Sequence, residues 1–361
     1  MVSGWITSGP KNAEFEILLK NYIKPKYLTT TSNATSALDI AIKLLNPKKG
    51  DEILTPSITW PSAVNMIEMN NCKPIFVDVE PDTFNIDLTD VIKKISKRTI
   101  AVIPIHFAGQ SYDTDGLKKI LFKKKIKIIE DCSHAIGTFY KNKHVGSSVD
   151  FAVFSFHPNK NITAAEGGLI TFQKKTDYEK ALKLKYHGLP NDTYSRTLKK
   201  KKPNEVIFPG MKYIFSDVHA SIGISQFKKL SIILKKRKMI ANQYIEYIKK
   251  LKNIENLKIK NFDDLHSWHL FIIKFKLKKL KINFKQIKKI FDKEKINIGI
   301  HYYPMHLHKF YRSKYKIKKG DLKYTTELNN TFISLPLYPA LSNTNQKRIF
   351  KVLYKIDKLE C

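Results

Sequence analysis

Lys160 stands between two short apolar runs, residues 151–156 and 168–172, and an amine so placed is a candidate for carbonyl chemistry. Both runs read as strands short and apolar enough to be buried. Pro158 interrupts regular structure between them, and the Gly167-Gly168 pair permits positive φ, so Lys160 is expected on a tight loop at a sheet edge. Burial there disfavours the ammonium, lowers its pKa and leaves a nucleophile toward carbonyls. Against this, the chain carries 65 Lys plus Arg, most of them expected to be solvated surface charges.

A second run supplies the company that singles Lys160 out. Residues 125–131 are rich in isoleucine and end in Asp131, followed by Cys132, Ser133 and His134. Ligands of open α/β sheets bind at the C-terminal ends of strands, where the strand order switches. A lysine and a carboxylate at such ends suit pyridoxal 5'-phosphate, which needs an amine to hold its aldehyde and an acid to keep its pyridine nitrogen protonated. Two further features bear on that reading. Hydroxyls and amides converge over 29–36, ahead of a helical pattern through Leu44, which suits a phosphate and equally suits a plain capping cluster. Trp60 follows a short strand at 50–56, where it serves either the core or a flat ring stacked on it.

The elements that must position these residues alternate. Asn12 is read as the cap of a first helix carrying Phe15, Leu18, Leu19 and Tyr22. Strands are expected at 73–79 and 101–106, and helices near 62–70, 87–96 and 113–124. Strand and helix in alternation predict an α/β domain around a mostly parallel sheet with right-handed crossovers. Beyond Phe172 a helix to about His187 leads to an exposed basic loop at 188–204, and Ser216-Asp217 caps another helix. A long basic helix over 226–251 bridges to a second, smaller α/β unit, with strands at 266–275 and 296–303 and a helix at 283–294. The expected division is a large domain at 1–235 and a small one at 236–361, sharing a cleft.

Composition bounds the function. The net charge of +33 and pI of about 9.8 would suit a nucleic-acid or anionic-membrane binder. The lysines are spread through every segment, however, and the densest cluster, Lys199 to Lys202, lacks interleaved aromatics, so neither partner is expected and a diphosphate-bearing small substrate fits the field better. No apolar run approaches the roughly 18 residues that span a bilayer, and the opening residues lack a basic-then-apolar pattern, so a soluble, cytoplasmic protein is expected. Cys72, Cys132 and Cys361 have neither the count nor the spacing of a disulfide framework or zinc site. The run from His301 to His308 lacks helical metal-ligand spacing and reads as cleft lining, so no metal is expected.

Taken in order, the motifs Gly4-Trp-Ile-Thr-Ser-Gly-Pro-Lys11, Ser32-Asn-Ala-Thr35, Thr59-Trp60, Phe76-Val-Asp-Val79, His106-Phe-Ala-Gly-Gln110, Glu130-Asp-Cys-Ser-His134, Ser155-Phe-His-Pro-Asn-Lys160, Glu166-Gly-Gly168, Gly210-Met-Lys-Tyr213, Trp268-His-Leu-Phe271 and Ser334-Leu-Pro-Leu337 resemble the DegT/DnrJ/StrS family of pyridoxal-phosphate sugar aminotransferases over nearly the whole chain. The resemblance implies fold type I: a large domain with a mostly parallel seven-stranded sheet and a small C-terminal α/β domain. It makes Lys160 the cofactor-bearing lysine and general base, and Asp131 the partner of the pyridinium nitrogen. Trp60 would stack on the ring and His134 would lie near its hydroxyl; Asn33, Ala34, Thr35 and Ser155 would bind the phosphate. Thr7, Lys11, Lys212, Tyr213 and His301 are the substrate-binding candidates.

Family members work as homodimers with shared active sites, to which the partner lends an Asn after the Lys-Tyr pair; here that position is Ile214. Relatives that remove a hydroxyl carry His in place of the lysine, whereas this chain keeps Lys160, which implies transamination. The implied donor is L-glutamate and the acceptor a nucleotide sugar. The motifs near Gly4, Ser57, Asn161 and Ala165 are most similar to the enzymes that make UDP-4-amino-4-deoxy-L-arabinose, which implies amination at C4 of a UDP-4-keto-pentose. The run from His301 to His306 is more like members using 6-deoxyhexoses. A C3 aminotransferase on a dTDP- or GDP-keto-sugar, and a noncatalytic sugar-nucleotide sensor, are the alternative readings.

Overall fold

The computed structural model describes residues 4–190, 205–260, 265–318 and 320–360. Twelve strands occur among them: β1 (Tyr27–Thr31), β2 (Glu52–Pro56), β3 (Lys73–Val77), β4 (Thr99–Val102), β5 (Lys127–Asp131), β6 (Phe139–Tyr140), β7 (Lys143–His144), β8 (Phe151–Ser155), β9 (Gly168–Phe172), β10 (Ile254–Asn256), β11 (Phe271–Phe275) and β12 (Phe332–Leu335). Seven build one sheet in the order β1-β9-β8-β5-β4-β2-β3. From β8 across to β3 every pair is parallel, and β9 alone runs against its neighbours β8 and β1. This is the mostly parallel α/β sheet that the alternating elements predict.

Both faces are covered, so strands such as β2 and β9 are buried at every position and, Glu52 apart, read as apolar or small runs. The helices Pro10–Ile23, Thr114–Leu121 and Asp217–Phe227 pack one face through Phe15, Leu117 and Ala220. Ala34–Leu44, Pro61–Met69 and Lys175–Leu184 pack the other through Leu38, Ala63 and Ala181. The C-terminal part has its own core, in which Ile240, Tyr244, Ile273, Phe291 and Leu353 surround the antiparallel sheet β10-β11-β12. The helix Leu230–Ile248 crosses the 235/236 division: Leu230 packs against the large sheet and Ile240 in the small core.

Several local expectations need correction. Asn12 does not cap the first helix, which starts at Pro10, a residue with fixed φ and no N–H to satisfy. The amides of Lys11 and Asn12 donate instead to the Asp217 carboxylate, both at 3.0 Å, a cap more than 200 residues away in sequence. The helix expected at 226–251 runs only from Leu230 to Ile248, and Lys228-Lys229 separate it from Asp217–Phe227, which Ser216 caps as expected by accepting from the His219 amide at 3.3 Å. The strand expected at 266–275 is only Phe271–Phe275, because Trp268 turns the chain with φ of 51°. Residues 296–303 form no strand beyond one bridge from Gly299 to Ser334, after which the chain enters the cleft described below. Most of the expected loop at 188–204 lies outside the described residues.

Candidate active site

Each parallel strand around the switch in strand order delivers one wall of a cleft of about 510 Å3. Asn33, Ala34 and Thr35 follow β1, and Thr59, Trp60 and Ser62 follow β2. Ile105 follows β4; Asp131, Ser133 and His134 end and follow β5; Ser155, His157, Asn159 and Lys160 end and follow β8. Glu166 precedes β9, and Ile300, His301 and Tyr302 close the cleft from the C-terminal part.

Lys160 rides on a loop cinched at its base. The Phe156 amide donates to Gly167 O at 2.9 Å, the Ala164 amide to Phe156 O at 2.9 Å, and the Lys160 amide to His157 O at 2.9 Å. The positive φ that Gly167-Gly168 would permit is found on Ala165, at 65°. Both glycines are required for space: a Cβ on Gly168 would lie 2.3 Å from the Asn33 carbonyl carbon, and one on Gly167 2.6 Å from the Phe215 ring. β9 thereby passes directly beneath the start of the helix Ala34–Leu44.

The electrostatics favour a reactive amine. Burial pushes the Lys160 ammonium down to about 8, against the pull of Asp131, which raises it. Asp131 is buried, and its Oδ1 accepts only the Ser133 amide, at 2.9 Å; among the described residues Oδ2 receives nothing. His134 is held neutral well below its ordinary pKa by burial, then by the charges of Lys160 and His301. Its Nε2 pairs with the Tyr302 hydroxyl at 2.9 Å, while its Nδ1 is buried without a partner. His301, pushed down to about 4 by burial and then by Lys160, shares a hydrogen bond with Ser334 Oγ at 2.7 Å.

The helix Ala34–Leu44 offers an anion site. The Asn33 side chain caps it by accepting from the Ser36 amide at 2.8 Å, leaving the amides of Ala34 and Thr35 uncapped in the cleft wall. Ser155, half-buried in the same cleft lining, ends β8 two strands from Thr31 and accepts from the His157 amide at 3.4 Å. Trp60 is 61% exposed, which excludes a core role, and its ring centroid is 5.7 Å from that of Tyr302. An aldehyde-bearing, phosphorylated pyridine fits this set: an amine, an unsaturated acid, an uncapped helix start, a neutral histidine with a free nitrogen and an exposed indole.

The structure brings together Asn33, Ala34, Thr35, Trp60, Asp131, His134, Ser155, Lys160 and His301. Thr7, Lys11, Lys212 and Tyr213 stand outside the lining of this chain's cleft. The Thr7 carbonyl accepts from the Asp217 amide, Lys11 pairs with Glu14 at 2.7 Å, Lys212 is exposed beside its bridge to Tyr186, and the Tyr213 hydroxyl donates to Asp39 at 3.1 Å. Residue-by-residue reading does not single out Tyr302, Ser133, His157 or Asn159; for Tyr302 the signal present in sequence is its place beside His301. Another buried cluster, His106, Glu130 and Cys132, has donor atoms within 4.8 Å of one another. Glu130 there already accepts from Tyr112 and the Gly146 amide, which marks a hydrogen-bonded network.

The sequence and fold recur in known proteins. The chain is 36% identical over 355 residues to the protein MJ1066 of Methanocaldococcus jannaschii, covering 98% of this chain and 92% of the relative. The sugar aminotransferase Spr1654 of Streptococcus pneumoniae, in its PMP form, superposes with a TM-score of 0.91 at 27% identity, covering 99% of this chain and 94% of the other. Helicobacter pylori PseC, an aminotransferase involved in the biosynthesis of pseudoaminic acid, superposes with a TM-score of 0.89 at 27% identity and the same coverage of 99% and 94%. The DegT/DnrJ/EryC1/StrS aminotransferase family model matches residues 1–354, and with a lysine, an acid and a helix start arranged as above, the chain belongs to that family and is a sugar aminotransferase that uses pyridoxal phosphate.

Proposed function

We propose that this enzyme transfers an amino group from L-glutamate to C4 of a UDP-linked 4-keto sugar, a pentose in preference to a 6-deoxyhexose, in the cytoplasm, for a surface polysaccharide or lipopolysaccharide. The observation that carries the reaction type is the desolvated Lys160 amine in the same cleft as Asp131. With a pKa of about 8, roughly a tenth of the amine is neutral at pH 7, against far less than a hundredth for an ordinary lysine. Pyridoxal phosphate supplies an electron sink and carries nitrogen between the two substrates.

The chain's own groups then have separate tasks. Lys160 Nζ takes the proton from the donor's α-carbon and, in the second half, returns one to the sugar carbon that receives nitrogen. Asp131, with Oδ2 unpaired among the described residues, would keep the pyridine nitrogen protonated. His134 and Tyr302 would hold the ring edge, Trp60 would stack on the ring, and the Ala34 and Thr35 amides with Ser155 would hold the phosphate.

We infer further that the enzyme acts as a homodimer with shared sites. Lys160 is the sole lysine in the cleft wall among the described residues, and no arginine joins it, although a diphosphate and two glutamate carboxylates call for cations. Lys11 and Lys212, outside this cleft, are the groups we assign to the partner's substrate. Exposed Val206, Ile207 and Met211 beside Lys212 support a covered surface there. Comparing kcat/KM across UDP-, dTDP- and GDP-linked 4-keto and 3-keto sugars tests the substrate assignment. A tenfold preference for any 3-keto sugar would defeat amination at C4, whereas a pentose and a 6-deoxyhexose differing by one methyl are expected within about 10- to 200-fold of each other.

A further inference from the structure

Arg237 lies within the helix Leu230–Ile248 and is 6% exposed. Burial pushes its guanidinium down to about 10, and no carboxylate forms an ion pair with it among the described residues. A buried charge without a counter-ion is costly, so its compensation must come from hydrogen bonds. One nitrogen, Nη1, donates to the carbonyls of Trp268 at 2.9 Å, His269 at 3.2 Å and Leu337 at 3.1 Å. Two of those carbonyls belong to the turn in which Trp268 adopts a left-handed φ of 51°, a conformation that a bulky side chain keeps only where its surroundings hold it.

That turn reaches the cofactor site from both sides. Ser267 O accepts from Asn161 Nδ2 at 2.8 Å, and Asn161 is the residue after Lys160. Ser267 Oγ donates to His134 O at 2.9 Å, and the His269 ring packs 4.4 Å from the His134 ring. The Ser267 amide donates to Gly109 O at 3.1 Å; Gly109 has φ of 96°, and a Cβ there would lie 2.3 Å from Ser267 Oγ, so the approach is close. Lys160 and His134 follow strands of the large sheet, whereas the turn leads into β11 of the small one.

We propose that Arg237 is a positioning residue of the transamination, holding the 266–269 turn so that the turn keeps the Lys160 loop and the His134 ring in register. The proposal rests on the family's pyridoxal-phosphate chemistry and is independent of the sugar or donor used. A guanidinium with only a packing role would affect melting of the protein and leave the folded site unchanged. A positioning role instead couples Arg237 to Asn161, because both act on one turn.

The test uses full-length apo-protein as wild type, Arg237→Lys, Asn161→Ala and the double variant. Melting and pyridoxal-phosphate affinity, read by quenching of intrinsic fluorescence, are measured for each. Each single variant is expected to bind cofactor about tenfold more weakly while still folded, since displacement of site groups by a fraction of an ångström is felt at this scale. The double variant is expected to be little weaker than the worse single one. Wild-type affinity in folded Arg237→Lys, or fully multiplicative losses in the double variant, would overturn the proposal. If Arg237→Lys does not fold, Ser267→Ala carries the test, as it cuts only the side-chain bonds from the turn: a tenfold loss supports the relay and unchanged affinity overturns it.

Discussion

Glu130 and Asp131 are neighbours on β5, yet they face opposite sides of the sheet and live in opposite chemical conditions. Glu130 is saturated: it accepts from the Tyr112 hydroxyl at 2.9 Å and the Gly146 amide at 2.7 Å, with His106 Nε2 at 3.5 Å. Burial pushes its carboxyl up, but His106, Tyr112 and Gly146 outweigh that and hold it below the usual range. Asp131, equally buried, has one amide donor and a second oxygen turned to no protein group among the described residues. Saturation is what a structural acid needs, and the unsaturated oxygen is what a ligand can use. Lys160 differs in the same way from the surface lysines, being desolvated without a close ion-pair partner among the described residues.

The largest effect is expected at Lys160. Lys160→Ala is expected to lose at least about 10⁴-fold in turnover, since both the amine that holds the cofactor and the proton carrier disappear. Near-normal turnover in a multiple-turnover assay would remove the assignment. Next comes Asp131→Asn, which should fold and bind cofactor but react about 10²- to 10³-fold more slowly in each half-reaction, because an amide cannot hold the ring nitrogen protonated. Its neighbour provides the contrast: Glu130→Gln should cost about 1–3 kcal/mol of stability by denaturant melting, with folded protein retaining the bulk of its rate per cofactor bound. If Glu130→Gln lost rate as Asp131→Asn does and kept its stability, the division between the two acids would be wrong. Trp60→Ala should weaken cofactor binding about two- to tenfold through lost stacking, read by equilibrium dialysis.

The parts legible in the sequence were those set by strand periodicity and strand ends. Lys160, Asp131 and Trp60 each follow or end a short apolar run, and parallel order brings those ends together. Less legible was whatever depends on distant partners. Asp217 caps the helix that Asn12 was expected to cap, and no local pattern encodes a carboxylate about 200 residues away. Gly167 and Gly168 carry the right residue type for a different reason, room beside Phe215 and Asn33 in place of positive φ. Residues 296–303 have the apolar and β-branched content of a strand, yet only Gly299 pairs, and Tyr302 reaches His134 across the cleft. The lysines expected to meet substrate, Lys11 and Lys212, have no role in this chain's own cleft wall, which is why the partner-sharing reading matters.

We assign the chemistry to one amine, that of Lys160, in a chain with 65 Lys and Arg. Loading the protein with pyridoxal phosphate, reducing it with borohydride and mapping the pyridoxyl group by peptide mass spectrometry tests this directly. Stoichiometric label is expected on the peptide containing Lys160, abolished by prior incubation with an amino donor that converts the cofactor to its amine form. Label on a different single lysine, or spread thinly over many, would contradict it.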